Sequence, residues 1–121
     1  MRVAETLLKL TDITKEFPGV LALNKVKLDI KEAEVLALVG ENGAGKSTLI
    51  KILTGALDGW NGEILWKGKQ LKVHHPWEAQ QAGISTIYQE LTLCPDISVS
   101  ENVFLGREPK RNGLIDWVKM N

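Results

Sequence analysis

The chain has 121 residues, of which 44% are apolar, enough for one domain with a buried core. Its 15 basic residues balance its 15 acidic residues, so neither a polybasic nucleic-acid surface nor a charged disordered tail is expected. The only cysteine, Cys94, excludes an internal disulfide and a thiolate metal cluster. We expect Cys94 to be a small packed apolar group in a reducing compartment rather than a nucleophile.

The N-terminal segment lacks an apolar run of signal-peptide length, and no stretch of the sequence is long and apolar enough to cross a bilayer. We therefore expect a soluble chain that is not secreted. Work at a membrane would require a membrane-embedded partner.

Two segments of alternating polarity open the chain. Residues 8–13 and 25–30 predict two half-buried strands, separated by a break at residues 17–19, and thus an antiparallel sheet. A polar turn at residues 31–34 then leads into residues 35–39, VLALV. This unbroken apolar run predicts a strand buried on both faces of a parallel sheet.

The next residues read GENGAGKS from Gly40 to Ser47 and match G-x-x-x-x-G-K-[ST] at every fixed position. Apolar side chains at positions 49, 50, 52 and 53 then predict an amphipathic helix. The order strand, glycine loop, helix is typical of a phosphate-binding loop. The alternative is a flexible strand-to-helix turn.

Phosphate binding explains the residue types of this loop. Small residues let successive N–H groups converge on an anion, and the unpaired N–H groups and dipole of the helix start attract the same charge. Lys46 offers a cation to the outer phosphates, Ser47 a hydroxyl to Mg²⁺, and Thr48 a further phosphate contact. The small residues are Gly40, Gly43, Ala44 and Gly45.

Short elements are predicted beyond the helix. Residues 56–62 form a turn, and residues 63–66 and 70–73 form a hairpin. A short helix follows His74, His75 and Pro76 and ends at Gly83. The paired histidines favour a solvated or capping role over metal binding, because no third ligand stands at a suitable spacing.

The last third of the chain predicts one strand and one helix. Residues 84–88, ISTIY, suit a short strand, and Gln89 follows it directly. Ser98 and Glu101 predict a capping box for a helix that runs to about residue 105. Residues 107–121 are expected to be irregular, with Trp117 as their apolar anchor.

With these elements placed, the sequence resembles the nucleotide-binding subunit of an ABC transporter, and most closely the ATPase of a bacterial sugar importer of the ribose, xylose and galactose type. The first and third matching stretches are specific, whereas the glycine loop alone fits many NTPases. The stretches are ITKEFPGVLALNKV (13–26), LVGENGAGKSTLIKILTG (38–55), GI and IYQEL around 83–91, and SVSENVFLGREP (98–109).

The resemblance implies a partial α/β P-loop NTPase core of the ABC ATPase type with an antiparallel β subdomain. It implies that Phe17 stacks on adenine, and that Gln89 in a mobile loop senses Mg²⁺ and the attacking water and contacts the membrane subunits. The alternatives are core packing for Phe17 and a surface loop role for Gln89. The residues implied to wrap the triphosphate are Gly40, Glu41, Asn42, Gly43, Ala44, Gly45, Lys46, Ser47 and Thr48, with Ser47 and Gln89 near Mg²⁺.

Two departures from the family pattern stand out. Ala33 replaces the usual glycine before Glu34, which questions the positive φ of that turn. The signature motif, the Walker B aspartate with its catalytic glutamate, and the switch histidine are not found in the sequence. Residues 114–116 resemble the end of a Walker B strand, but two apolar residues are too few for a buried strand. We therefore expect residues 1–121 to be the N-terminal part of one nucleotide-binding domain, which binds ATP and Mg²⁺ without hydrolysing ATP. Its open sheet edges should pair with or swap into a second copy, which light scattering can test.

The leading functional hypothesis is an energy-coupling module for monosaccharide uptake. Its partners would be membrane permease subunits, a second nucleotide-binding domain and, indirectly, a periplasmic sugar-binding protein, with no nucleic acid. Its place would be the cytoplasmic face of the inner membrane. The alternatives are a soluble ABC-like ATPase without a permease and a P-loop small-molecule kinase.

Overall fold

The computed structural model describes residues 5–87 and 93–120. The chain folds into two compact units, one that ends at Thr86 and one that begins at Ile87. Each unit has its own elements and is described by itself.

The first unit is built on a four-stranded antiparallel sheet, which confirms the two predicted hairpins. The second hairpin differs in its bounds, because its first strand begins at Asn61, within the predicted turn, and residues 71–73 form no strand. The spatial order of the sheet is β2-β1-β3-β4, so the two long strands and the short hairpin form one surface. The strands run longer than their alternating segments, because β1 and β2 remain paired as far as Phe17 and Val20 on either side of a two-residue turn. The strands are β1 (Thr6–Phe17), β2 (Val20–Lys31), β3 (Asn61–Trp66) and β4 (Lys69–Gln70).

A bulge in β1 changes which side chains face the core. Simple alternation puts Leu10 and Ile13 on opposite faces, yet both are fully buried. The pairing register shifts between these two residues, and Asp12 adopts a left-handed φ of 52°. The extra residue turns Ile13 back towards the core. The predicted alternation over residues 8–13 is therefore wrong at its end.

Two helices pack in the first unit. Helix α1 (Lys46–Leu53) buries the side chains at positions 49, 52 and 53 as its apolar spacing predicted, whereas Ile50, the fourth predicted position, is 41% exposed. Helix α2 (Pro76–Gln81) starts at its proline and ends before Gly83, also as predicted. The core of the unit combines these faces with the sheet and consists of Leu8, Leu10, Ile13, Leu23, Leu49, Ile52, Leu53, Ile64, Leu71, Val73 and Ala79.

Residues 35–39 do not form the predicted buried strand. The segment has no assigned strand structure, and Val35 and Val39 are 98% and 89% exposed. A strand buried on both faces needs paired neighbours and covering helices, and no strand among the described residues pairs with this one. Residues 84–87 likewise form no strand, and Tyr88 lies outside the described residues.

The second unit contains α3 (Val99–Phe104), β5 (Lys110–Arg111), β6 (Leu114–Ile115) and α4 (Trp117–Met120). The capping box of α3 is confirmed, because the Glu101 N–H donates to Ser98 Oγ and the Ser98 N–H donates to the Glu101 carboxylate (3.2 and 2.8 Å). The prediction of an irregular C-terminal stretch is wrong. Asn112 and Gly113 both have positive φ and close a β5–β6 hairpin, a turn that the dipeptide Asn-Gly favours.

Two residues of this unit that were expected to be buried are exposed instead. Trp117 is 52% exposed, whereas Met120 of the same helix is 4% exposed. Cys94 is also exposed, so its assignment as a packed group is wrong. The backbone of Cys94 is held at both its N–H and its C=O by the Asn102 side-chain amide (2.9 and 3.0 Å), which fixes the chain there without burial. In the described ranges, no helix is both long and apolar enough to cross a membrane.

Gly55 ends α1 and provides a test of close packing. Its N–H and that of Ala56 donate to the carbonyls of Ile52 and Lys51, the two bonds of a Schellman motif. A Cβ at Gly55, whose φ is 68°, would lie 2.8 Å from the backbone oxygen of His75. Gly68 has nearly the same φ, 72°, with nothing within 4 Å of its Cβ position.

We expect Gly68→Ala to lower the free energy of unfolding by about 1 kcal/mol through left-handed strain alone. Gly55→Ala should cost at least about 1 kcal/mol more, because the backbone at His75 must also move. Urea denaturation of the two variants beside the parent chain measures both costs. Equal costs would show that the contact between Gly55 and the His75 backbone adds nothing.

Candidate functional site

The glycine loop is an exposed bend that leads from residue 40 into α1. Its turn is closed by the Ala44 N–H, which donates to the Glu41 carbonyl (3.1 Å). Gly43 and Gly45 have φ of 88° and 87°, but neither Gly40 nor Ala44 has a positive φ. Backbone freedom is therefore required at two of the four small residues. Gly40 is instead limited by space, since its Cβ would lie 3.2 Å from the Cβ of Ala44.

Gly45 is the point at which the loop meets the sheet. It is buried, and a Cβ there would lie 2.6 Å from the carbonyl oxygen of Ala22 and 2.8 Å from a methyl carbon of Leu23. Both neighbours belong to β2. Only glycine allows this approach, so the contact anchors the start of α1 against the hairpin.

The N-terminus of α1 leaves backbone donors open. Gly45 is the N-cap residue and provides no side-chain cap, and the first helical hydrogen bond runs from the Leu49 N–H to the Gly45 carbonyl (2.9 Å). The N–H groups of residues 46–48 therefore have no intrahelical acceptor, and the first turn holds no acidic residue. Open N–H groups and the positive end of the helix dipole suit an anion.

The Lys46 side chain folds back onto the start of the glycine loop. Its ammonium donates to the carbonyls of Gly40 (2.5 Å) and Glu41 (2.7 Å). Both acceptors are uncharged backbone carbonyls. Ser47 is exposed and Thr48 half-buried on the turn that follows. The arrangement can receive a multiply charged oxyanion and presents a hydroxyl for a metal bound to that anion.

Phe17 lies at the tip of the first hairpin. Phe17 is 36% exposed, so the structure does not support the alternative in which Phe17 packs in the core. Phe17 pairs with Val20, and Val20 stands two residues before Ala22, the residue that Gly45 contacts. Two residues of a strand span about 6.7 Å. The pairing position of Phe17 and the Gly45 contact therefore lie two residues apart along β2.

The turn before the exposed apolar run keeps its shape despite Ala33. That residue has a φ of 58°, and the Glu34 carboxylate accepts the Lys31 N–H (2.7 Å). An alanine in this region costs roughly 1–2 kcal/mol relative to glycine. The hydrogen bond to Glu34 holds the turn in place, so the replacement of glycine leaves the positive φ intact.

The adjacent histidines serve α2, which confirms the predicted capping role. His75 is the N-cap residue in an extended conformation, and the Glu78 carboxylate accepts the N–H groups of His74 (2.6 Å) and His75 (3.2 Å). His74 Nδ1 also lies 3.1 Å from the Asp58 carboxylate. Within the described parts of the chain, no three His, Cys, Asp or Glu side chains group to hold a metal. Gln89 lies outside the described residues.

One contact near Phe17 was missed from the sequence. Lys15 Nζ donates to the carbonyls of Asp58 (2.8 Å) and Gly59 (2.9 Å) and lies 5.0 Å from the centroid of the Phe17 ring. The spacing of Lys15 and Phe17 could have predicted their contact, because residues i and i+2 of a strand share a face. No sequence pattern predicts that the carbonyls of residues 58 and 59 accept hydrogen bonds from Lys15.

A family profile described as ABC transporter matches residues 23–121. The chain belongs to the ABC transporter family. Among its relatives, the "Ribose import ATP-binding protein RbsA 1" of Streptomyces avermitilis is 51% identical over 120 residues, which cover 99% of this chain and 23% of that protein. The "Xylose import ATP-binding protein XylG" of Thermoanaerobacter pseudethanolicus is 48% identical, with 98% and 24% covered.

Solved structures agree with this membership. A nucleotide-free ATP-binding cassette from an ABC transporter aligns with a TM-score of 0.76 at 28% identity, over 96% of this chain and 45% of that one. The ADP conformation of the cassette MJ1267 aligns with a TM-score of 0.62 at 32% identity, over 65% and 31%. The fold is thus a partial ABC ATPase cassette with an antiparallel sheet, as predicted. This family member spans about a quarter of the length of the curated relatives it matches.

The α2 cap gives a pH test. Hydrogen bonds from the His74 backbone, and then from the His75 backbone, lower the pKa of Glu78. A carboxylate whose pKa is lowered by folding stabilises the folded state at pH values above its pKa in the unfolded chain. This stabilisation is lost as the pH falls through the lowered pKa. We expect the free energy of unfolding to fall more steeply on acidification in the parent chain than in Glu78→Gln. Urea denaturation at several pH values measures the slopes, and parallel slopes would contradict the prediction.

Proposed function

We propose that this chain is the ATP-grasping part of the ATPase subunit of a bacterial ABC importer for a monosaccharide. The observation that carries the proposal is the loop at the start of α1. Two left-handed glycines, three N–H groups without an intrahelical acceptor and the Lys46 ammonium occur within this loop and the first turn of α1. The names of the ribose and xylose relatives support the substrate class.

The proposed nucleotide lies along the hairpin edge. Its phosphates occupy the loop from Gly40 to Thr48, and its base stacks on Phe17, whose partner Val20 lies two residues, about 6.7 Å of strand, from the Ala22 contact. Stacking on an aromatic ring contributes roughly 1 to 3 kcal/mol with little selectivity among bases. The phosphates therefore supply most of the recognition and the platform adds to it.

Mg²⁺ fits the proposed site through its chemistry. The ion prefers oxygen ligands and usually takes one or two protein groups together with phosphate oxygens and waters. Ser47 offers an exposed hydroxyl at the first turn of α1, and Gln89 is the second proposed contributor. Bound there, the ion neutralises phosphate charge while Lys46 and the open N–H groups hold the phosphates.

We propose further that residues 1–121 bind ATP without hydrolysing it. Phosphoryl transfer needs an oriented nucleophile in addition to bound Mg²⁺ and phosphates. The sequence supplies no signature motif and no Walker B aspartate with a following glutamate. The chain would act as the N-terminal part of one nucleotide-binding domain, and phosphate release from ATP should stay at background.

The proposed partners are those of an importer at the cytoplasmic face of the inner membrane. They are permease subunits and a second nucleotide-binding domain in direct contact, and a periplasmic sugar-binding protein indirectly. The balanced charge supports the absence of a nucleic-acid partner. The exposed apolar residues 35–39 support self-association of the chain on its own.

Lys46→Ala tests the binding site. We expect it to weaken the affinity for a fluorescent ATP analogue with Mg²⁺ at least about tenfold, or 1.4 kcal/mol, because the only loop cation is removed. Lys51→Ala, on the exposed side of the last turn of α1, is the matched control and should bind within about twofold of the parent. Equal affinity of all three proteins would contradict the assignment of the loop.

Gly45→Ala tests the seat of the loop on β2. The new Cβ would meet the Ala22 carbonyl, so the loop must move and ATP affinity should fall at least about tenfold. Gly43→Ala has the same φ but nothing within 4 Å of its Cβ, and it should bind more tightly than Gly45→Ala. Fluorescence titration of both variants measures the difference. Tighter binding by Gly45→Ala would show that the contact with β2 does not position the loop.

A further inference from the structure

We propose that Lys15 is a positioning residue for the aromatic platform of the nucleotide site. Its ammonium, held by the 58–59 turn, restrains the Phe17 ring in the position in which a base stacks. The inference rests on the proposed function of the chain and concerns how the base, rather than the phosphates, is recognised.

Two carbonyl oxygens anchor the ammonium. Lys15 Nζ donates to Asp58 (2.8 Å) and Gly59 (2.9 Å), which uses two of its three N–H donors. Gly59 allows this approach, because it has a φ of 69° and a Cβ there would lie only 3.2 Å from Nζ. The two carbonyls therefore fix the position of the Lys15 ammonium, so that its side chain does not rotate freely.

The turn that holds Lys15 is itself fixed from the other side. The Asp58 carboxylate lies 3.1 Å from His74 Nδ1, and His74 directly precedes the N-cap of α2. The main-chain carbonyls of residues 58 and 59 remain for Lys15. The α2 start, the 58–59 turn and Lys15 thus form one connected series of polar contacts that ends at the Phe17 ring.

The ring is the end of this series. Lys15 Nζ lies 5.0 Å from its centroid, within the distance at which a cation is attracted to an aromatic face. Phe17 stands at the hairpin tip with 36% exposure, so packing restrains it less than a core residue. A cation on one side of the ring limits its rotamers and leaves exposed ring surface for a base, which lowers the entropy lost on stacking.

A different role for the same contact predicts the opposite result. If Lys15 covered the surface that the base needs, the base would have to displace it. Removal of the ammonium would then strengthen ATP binding rather than weaken it. A purely structural tie between β1 and the 58–59 turn would affect ATP and a phosphate chain without a base alike.

The test compares the affinity for Mg·ATP with the affinity for inorganic tripolyphosphate and Mg²⁺, measured by calorimetry on the full chain. The ratio of the two isolates the contribution of the base and ribose. We expect Lys15→Met to lower this ratio about two- to fivefold, and to leave tripolyphosphate affinity within about twofold. Lys15→Arg should keep most of the ratio, because a guanidinium also lies over aromatic rings. Lys9→Met removes an exposed lysine of the same strand and should change nothing.

A second comparison guards against general damage from the substitution. In a Phe17→Leu background the ratio is already low, and Lys15→Met should lower it no further. Equal effects of Lys15→Met with and without the ring would overturn the proposal. So would an unchanged or raised ratio in Lys15→Met, or an equal loss in Lys15→Arg.

The outcomes also separate this inference from the proposed function. If the parent chain prefers ATP and Lys15→Met keeps that preference, the ATP site stands and the role of Lys15 is overturned. If the parent binds ATP and tripolyphosphate equally, the loop binds phosphate but no platform exists, and the role of Lys15 falls with it. If the parent binds neither ligand, both proposals are overturned.

Discussion

The close approach of Gly45 to β2 is the constraint on which the site depends. A side chain at this position would overlap the Ala22 carbonyl, so the absence of a Cβ lets the loop and the start of α1 rest on the hairpin. The open N–H groups of the helix are thereby set beside the same strand that pairs with Phe17. One backbone contact therefore links the phosphate-binding and base-binding halves of the proposed site.

The sheet that carries this contact depends on an irregularity. The bulge at Asp12 lets Leu10 and Ile13 both enter the core, and it strengthens the twist of the long hairpin. Past the bulge, the Lys15 ammonium contacts both the Phe17 ring and the carbonyls of residues 58 and 59. Strand β1 thus carries core side chains on one side of the bulge and the proposed ligand contacts on the other, and its pairing with β2 shifts register at several points between them.

Residues 35–39 illustrate the limit of a local pattern. The run VLALV has the apolarity of a strand buried on both faces, and nothing in its own sequence conflicts with that prediction. Burial and pairing are properties of the neighbours, however, and no described strand lies beside it. The loop that follows still forms, because its turn, its helix and its contact with β2 are made by residues between 22 and 53.

The sequence alone determined the features that depend on residues close together in the chain. The glycine loop, the amphipathic face of α1, the capping of α2 and α3, and the hairpins follow from contacts between residues a few positions apart. Tertiary structure decided the rest: the return of Ile13 to the core, the exposure of Cys94, and the meeting of Lys15 with the 58–59 turn. These depend on which distant backbone groups lie nearby, and that information is absent from any local pattern of residue types.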